Sequence, residues 1–417
     1  MCWDVAVIGG GPAGCTAARD VACAGYRVII LEEHLEIGEP LQCSGLVSPR
    51  SLELSGYAGP VLGHMRGFCL HSPSGHTLSF RGAKVYAVVV DRVALDRQLA
   101  EEAARAGAEV MLGFKVTGLE YRPDGVVVCG RRRGGGDFRL KAKLVIAADG
   151  PRSTIARQLN LLPQEAVRMA AAEIRLGPET RARDSMVELF LGESFAPGWF
   201  GWLFPLEGGR ARIGVGVARE GISSRTCLDR LIDEYPEFFA GSKILRRTGG
   251  IVPIGPPERL FADRVMLLGD AAAQVKPMSG GGLFLGLSAA RLCASTAVAA
   301  LNKGDLSEAA LAAYQESWEE NFGSALTSDL TLRELFLSLT EAEMDYLTQF
   351  FNNSFWRGLM ANHADVDYPS ALVSGILATG LLSKRFFKLA LNLGGFVGRW
   401  RKACAGEEET AAASEVE

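Results

Sequence analysis

No two cysteines in this 417-residue chain form a C-x-x-C pair, and histidine is scarce, at five residues. The nine cysteines are odd in number and scattered. That pattern speaks against iron–sulfur or zinc ligation and against a secreted disulfide scaffold. His34, His64, His71, His76 and His363 show no metal-ligand spacing, so no metal is expected. A strong charge of either sign is missing as well. Lys and Arg total 44 against 48 Asp and Glu, a net charge of −4. Nothing there supports nucleic-acid binding. The densest basic run, Arg131 to Arg133, leads straight into Gly134 to Gly136 and reads as a solvated hairpin tip. The first apolar run starts almost at residue 4, which leaves no room for a signal peptide, and the expected compartment is reducing and cytoplasmic.

What the chain does have is a 48% hydrophobic composition, enough for a large core in two or three structural units. Its organising stretch runs from Asp4 to Glu33. Val5 to Ile8 suit a buried parallel strand. Gly9, Gly11 and Gly14 follow as G-x-G-x-x-G, with Pro12 and Ala13 between them. The first glycine allows a tight turn, the second lets backbone approach a pyrophosphate, and the third lets helix pack on strand. The helix that follows points its first amides at the phosphates. Arg27 to Leu31 form a second strand, and Glu32, followed by Glu33, stands where a carboxylate accepts hydrogen bonds from ribose hydroxyls. The acid favours an unphosphorylated ribose, hence FAD or NAD rather than NADP.

The stretch after Glu32 is polar, broken by glycine, and reads as a loop carrying Pro40, Cys43, Ser44 and Gly45. Phe68 to Phe80 alternate around a Pro-Ser-Gly turn and predict a β-hairpin. Val85 to Val90 predict a strand, and Asp91-Arg92 opens a helix with Leu95, Leu99 and Ala103 at helical spacing. Glu109 to Leu119 and Gly125 to Cys129 look like strands of a small meander. Lys143 to Ala148 lead into Asp149-Gly150, a strand-to-turn junction able to approach a ligand. Ala170 to Val217 alternate like strands of an antiparallel sheet, inserted in the first domain and carrying the aromatic segment Gly198 to Pro205. Gly214-Val215-Gly216 imitates a nucleotide turn, but Arg219 holds the third glycine position and no βαβ unit surrounds it. Val265 to Leu268 form a strand ending at Gly269-Asp270, followed by Pro277, Gly280, Gly281 and Gly282 and an apolar helix to about Leu301. That glycine run could place helix amides against an electron-rich ring. From Asp305 to Ala361 the chain reads helical. The tail from Pro369 to Trp400 is apolar but broken at Ser383-Lys384-Arg385 and Lys388, so neither half reaches the ~20 residues of a spanning helix. It suits either helices covering the domain or an interfacial pair with basic residues at the headgroups; we favour membrane contact.

Three motifs thus stand in order: GGGPAG with Glu32, A-D-G at Asp149 and G-D-A at Asp270. Over roughly residues 1–320 the arrangement resembles the p-hydroxybenzoate-hydroxylase-type flavoproteins, which implies FAD. In that superfamily the first motif binds the ADP half, the D-G loop lies near the pyrophosphate, and the G-D aspartate contacts the ribityl chain. Two further segments resemble the geranylgeranyl reductase family. Pro40 to Gly45 is similar to its P-x-x-C-x-G segment near the flavin, and Phe200 to Pro205 to its Y-x-W-x-F-P segment, with Phe200 in place of tyrosine. A W-x-W-x-I-P segment also marks tryptophan halogenases, but the spacing of Trp199 and Trp202 does not fit theirs.

The resemblance implies an α/β and α+β fold. A Rossmann-like FAD-binding domain (1–60, 85–165 and 255–325; three-layer, parallel sheet) would carry an inserted antiparallel-sheet substrate domain (61–84 and 166–254). A helical C-terminal region (326–405) and a disordered acidic tail (406–417) would follow. It implies an FAD-dependent reductase of geranylgeranyl or polyprenyl chains on a lipid, diphosphate or quinone. Cys43 is the candidate proton donor, against its alternative as a small buried hydrophobe. Trp199, Phe200, Trp202, Phe204 and Pro205 would line an isoprenoid tunnel, although aromatic core packing is the competing reading. Arg92 could reach the nucleotide. With no second nucleotide-binding βαβ unit, electrons would come from NAD(P)H, reduced ferredoxin or another carrier. A peripheral place on the inner face of the cell membrane is the matching expectation. A flavin-dependent hydroxylase or halogenase, a quinone-linked electron-transfer flavoprotein and a non-catalytic flavin module are the alternatives.

Overall fold

The structure, a computed structural model, describes residues 2–369. The expectations for the apolar tail and the acidic end lie outside the described residues, apart from the tail's first residue. The chain divides into two units. One comprises Met1–His64, Ala87–Ala170 and Arg247–Phe322; the other comprises Met65–Tyr86, Ala171–Arg246 and the chain from Gly323 onward.

The first unit is built on five parallel strands in the order Val265–Leu267, Asp137–Ala147, Cys2–Ile8, Val28–Glu32 and Glu109–Leu112. Val5, Ala6, Val7, Val28 and Ile30 are fully buried, which is why these strands read as apolar runs rather than alternating ones. Helix Pro12–Cys23 packs on helices Arg92–Arg105 and Leu283–Lys303. Asp91 caps Arg92–Arg105, its side chain accepting from the amides of Val93 and Ala94. Among the described residues, Leu283–Lys303 is the one helix long and apolar enough to cross a membrane by length and composition. Its Leu285, Leu287, Ala290, Ala294 and Ala297 are buried in this packing.

Two local expectations need correction. Glu109 to Leu119 is not one strand. It breaks at Gly113, where φ is +77° and the amide donates to His34 O at 2.9 Å. Glu109–Leu112 therefore joins the parallel sheet, and Phe114–Arg122 turns away to pair with Gly125–Arg132. The polar stretch after Glu32 also contains a short helix, Pro49–Ser55. It is begun by a Ser48 side-chain cap and Pro49 in its first turn, a local signal too short to show periodicity.

The second unit holds a sheet in which Thr77–Arg81, Gly67–His71, Met186–Phe190, Gly201–Leu206 and Arg210–Val217 are successive neighbours. The sheet is mixed rather than purely antiparallel, because Gly67–His71 and Met186–Phe190 run parallel. A long detour of chain separates those two strands, so no tight hairpin dictates their direction. Helices Glu341–Phe351 and Ser354–His363 follow in the same unit, and Trp356 and Met360 form a core with Leu78 and Phe80 of the hairpin.

Gly214 and Gly216 lie within the strand Arg210–Val217, which explains their false likeness to a nucleotide turn. A Cβ at Gly214 would stand 2.2 Å from the Trp202 ring, and one at Gly216 would stand 2.1 Å from the Trp199 ring. Each glycine makes room for one indole. Gly216→Ala is accordingly expected to cost about 1–3 kcal/mol by overpacking, read as a lowered thermal midpoint; an unchanged midpoint would show that the indole moves freely.

Candidate active site

Backbone contact builds the first turn. Gly9 has a φ of +103°, and a Cβ there would stand 2.2 Å from Ala148 O. One at Gly14 would stand 2.3 Å from Gly9 O. Gly11 is different: a Cβ there meets nothing within 4 Å, and Pro12 begins a helix with no side-chain cap. The helix N-terminus is left bare, as an anion requires. Ala13 serves packing, its methyl lying 3.2 Å from where a Gly269 Cβ would be and 3.6 Å from where a Gly286 Cβ would be. Glu32 locks the turn from the second strand. Its Oε2 accepts from Gly10 N at 2.8 Å, while Oε1 accepts from His34 N at 2.9 Å and lies 2.6 Å from His34 Nδ1. A carboxylate has about four acceptor positions, so capacity for a ribose hydroxyl remains. Glu33, expected beside it, instead pairs with Lys115 at 2.6 Å on an exposed edge, one position past the end of the strand.

The second and third motifs divide their labour in the same way. Asp149 spends its carboxylate on the helix Thr154–Gln158. Oδ1 accepts from Ser153 Oγ at 2.6 Å, and Oδ2 accepts from the amides of Thr154 at 2.8 Å and Ile155 at 3.3 Å. It is Gly150, with a φ of +75° and nothing near its missing Cβ, that leaves this turn open. Gly269 has a φ of +67° and donates to Gln274 Oε1 at 2.7 Å; Gln274 Nε2 in turn donates to Tyr314 Oη at 2.7 Å. Asp270 is only half-buried, and its side chain accepts no hydrogen bond from the described residues. Burial pushes its carboxyl up to about 6, opposed by the Arg92 charge. A Cβ at Gly282, the cap of helix Leu283–Lys303, would stand 3.1 Å from Asp270 Oδ1. Pro277 is buried, Gly280 has a φ of +71°, and Gly281 lies over the Lys276 side chain.

Cys43 lies on a loop docked to neighbouring backbone. Gly45, with a φ of +77°, accepts from Val90 N at 2.9 Å and donates its own amide to Cys43 Sγ at 3.4 Å. Ser44 occupies the same bend. Leu46–Val47 then pairs with Ala87–Val90, the strand that leads into Arg92. Arg92 forks onto Asp96 one turn on: Nε and Nη2 reach Oδ1 at 3.1 and 3.0 Å. The same guanidinium interacts electrostatically with Cys43. Burial opposes its charge, but Asp96 and Cys43 outweigh that and hold its pKa above the ordinary arginine value. Arg92 is thus placed at the cysteine as well as near Asp270.

The aromatic segment belongs to the second unit and splits in two. Trp199, Phe204 and Pro205 are buried in the sheet core, and the Arg333 guanidinium lies 4.6 Å from the Trp199 ring. Phe200 and Trp202 remain half-exposed, edge to face at 6.2 Å. The indole Nε1 of Trp202 is buried and has no hydrogen-bond partner among the described residues. For Trp199, Phe204 and Pro205 the core-packing alternative therefore describes the structure better than a tunnel wall.

Sequence reasoning missed Asp96, Gln274, Tyr314 and the buried Lys276. Asp96 was detectable as the i+4 partner of Arg92 on a helix. Nothing in the sequence pattern ties Gln274 to Tyr314. Also missed was a buried group in the second unit, Cys69, His71 and Glu188.

A bare helix start, open glycine surfaces at Gly11 and Gly150 and a half-buried carboxylate without a partner fit a flavin dinucleotide. Residues 3–321 match the FAD binding domain family, and the chain belongs to it. FAD is its cofactor. The chain is 34% identical over 361 residues to digeranylgeranylglycerophospholipid reductase 2 of Methanothermobacter thermautotrophicus, covering 83% of this chain and 91% of the relative. It is 33% identical over 375 residues to digeranylgeranylglycerophospholipid reductase 1 of Methanopyrus kandleri, covering 85% and 95%. It is therefore a member of the geranylgeranyl reductase family. Its fold superposes with a TM-score of 0.80 on a geranylgeranyl bacteriochlorophyll reductase-like protein of Thermoplasma acidophilum, at 22% identity over 95% of this chain and 99% of that one. The p-nitrophenol 4-monooxygenase of Pseudomonas putida shares the fold at a TM-score of 0.68 and 19% identity, over 89% and 98%.

Asp270 gives a pH-dependent prediction for the FAD-free protein. Its carboxyl titrates near 6 when folded, against 3.8 ordinarily, so the folded chain binds the extra proton between those values. Stability contributed by the group therefore falls as pH rises from about 4 to 6, and the penalty is complete above that. Asp270→Asn is expected to stabilise the FAD-free protein at pH 8 by on the order of 2 kcal/mol and hardly at all at pH 4, while lowering FAD retention. Thermal melts at the two pH values check the first outcome and flavin content the second.

Proposed function

We propose that this oxidoreductase saturates the carbon–carbon double bonds of geranylgeranyl chains carried on a glycerophospholipid, with Cys43 delivering the proton. FAD, when bound and reduced, supplies the hydride equivalent that no side chain can give. The observation that carries the proposal is the setting of the Cys43 sulfur, which accepts from the Gly45 amide and lies within the field of the Arg92 guanidinium. A thiol suits this task, since a neutral S–H tolerates an apolar alkene pocket better than an ionisable carboxyl does. When Cys43 gives its proton to the alkene carbon, the thiolate left behind already has the Gly45 amide as a donor and the Arg92 charge to stabilise it. Asp96 orients the fork and keeps Arg92 from swinging away. The thiolate then recovers a proton from solvent. Each cycle adds one hydride and one proton, so the product gains two hydrogens per double bond.

The substrate class comes from the named relatives, and the surface we assign to the chain is the half-exposed pair Phe200 and Trp202. Phe200 offers a ring without a hydroxyl, so its part is apolar contact alone. Among the described residues the first unit contains one dinucleotide turn, and we therefore assign electron delivery to a carrier that binds transiently: NAD(P)H, a reduced ferredoxin or a similar protein. A lipid substrate also calls for a membrane surface, and the apolar tail with Lys384, Arg385 and Lys388 is the segment we assign to it.

The test is anaerobic. Protein reduced by dithionite and freed of excess reductant is mixed with a geranylgeranylated phospholipid, and flavin reoxidation is followed while products are weighed. Oxidised flavin with products heavier by pairs of hydrogens is the expected result. Cys43→Ala should slow this single turnover by about 100-fold or more, with reduction by dithionite unchanged. Flavin that stays reduced until oxygen or a quinone is added would overturn the proposal.

A further inference from the structure

The second unit contains a polar cluster for which alkene reduction has no use. Cys69 and His71 are two residues apart on the strand Gly67–His71, so they share one face. The opposite face, with Phe68 and Leu70, packs toward Trp356 and Met360. Glu188 is the register partner of Cys69 on the parallel strand Met186–Phe190, and its side chain joins the same face. Cys69 and Glu188 are fully buried and His71 is 7% exposed. The His71 ring is enclosed by Phe190, stacked at 4.9 Å, and by the edge of Phe238 at 5.1 Å.

Within this enclosure the hydrogen bonding is incomplete. Glu188 Oε2 lies 2.8 Å from His71 Nε2, yet Glu188 Oε1 is buried and has no hydrogen-bond partner among the described residues. One ligand atom from each of the three residues lies within 4.8 Å of the others. A carboxylate oxygen stripped of water and given no donor is a debt that folding ordinarily avoids. A cation at this point removes it.

We propose that Cys69, His71 and Glu188 bind one zinc-like divalent cation. Thiolate, imidazole and carboxylate are the donors that zinc takes, whereas calcium and magnesium want oxygen alone. A doubly charged ion with one thiolate, one carboxylate and a neutral imidazole sums to zero, the charge a buried pocket accepts most readily. Tetrahedral zinc with bonds near 2.0–2.1 Å separates its nitrogen and oxygen ligands by about 3.3 Å. The His71–Glu188 pair therefore has to open by only about half an ångström. The fourth position falls to water. The ion would clamp two parallel strands that no short connection joins.

The experiment uses the full-length holoprotein, dialysed against a chelator, supplied with one equivalent of Zn²⁺ and desalted before metal counting. About one zinc per chain is expected in the parent and in Cys43→Ala, and less than about a tenth in Cys69→Ser. Titration with Co²⁺, read as a difference spectrum against the flavin, should show a sulfur-to-cobalt charge-transfer band that Cys69→Ser abolishes. Zinc should raise the melting temperature of the parent and leave that of the variant unmoved. A parent that retains no zinc and gives no charge-transfer band overturns the proposal, and so does a band that survives Cys69→Ser. Should that variant fail to fold, the parent's zinc stoichiometry and Co²⁺ spectrum decide the matter alone.

Discussion

The first unit depends on how closely three backbone segments approach around residues 9 to 14. The carbonyl of Ala148 fills the space where a side chain at Gly9 would go, the carbonyl of Gly9 does the same at Gly14, and Ala13 rests against Gly269. The first and last of these contacts join the second and third motifs to the first turn, and the middle one closes the turn on itself. Remove the closeness and the three loops no longer share one surface, whatever their individual chemistry. The need for glycine at Gly9 and Gly14 is thus answered inside the protein, whereas at Gly11 no protein atom would meet a Cβ and we assign the need to the ligand side. The pattern G-x-G-x-x-G mixes both reasons in six residues.

Charge is distributed with the same economy. Arg92 is bonded to Asp96 while its charge acts on both Cys43 and Asp270. Its helix begins at a capped Asp91, so the first turn is fixed before the side chain reaches out. A buried arginine needs a carboxylate close by, and Asp96 meets that need from one turn away. The thiol loop then gains a positive neighbour without an unpaired ion being buried. Asp149 shows the converse case: a conspicuous acid whose hydrogen bonds all go to its own helix.

The parallel sheet, the nucleotide turn, the hairpin and the aromatic segment were legible in the sequence because each rests on local periodicity or on a glycine with a local reason. The break at Gly113 was not, since a single left-handed glycine inside an apolar run leaves no trace in alternation. The mixed direction of the second sheet was hidden for a different reason: strand direction follows from where the chain travels between strands, which composition does not encode. In the site, Gly9, Gly11, Gly14 and Cys43 could be named from spacing and resemblance. The partners that orient them could be named only where helix spacing gave them away, as it did for Asp96. Glu188 lies 117 residues from His71, beyond the reach of any motif.

That separation has a consequence for synthesis on the ribosome. The hairpin Gly67–His71 and Thr77–Arg81 is complete long before Met186–Phe190 exists to cover its outer strand. At about 5–20 residues per second the wait is roughly 6–25 s. An open strand edge is a template for wrong partners over such an interval. The waiting strand, however, presents a thiol and an imidazole on one face where valine or isoleucine would be stickier.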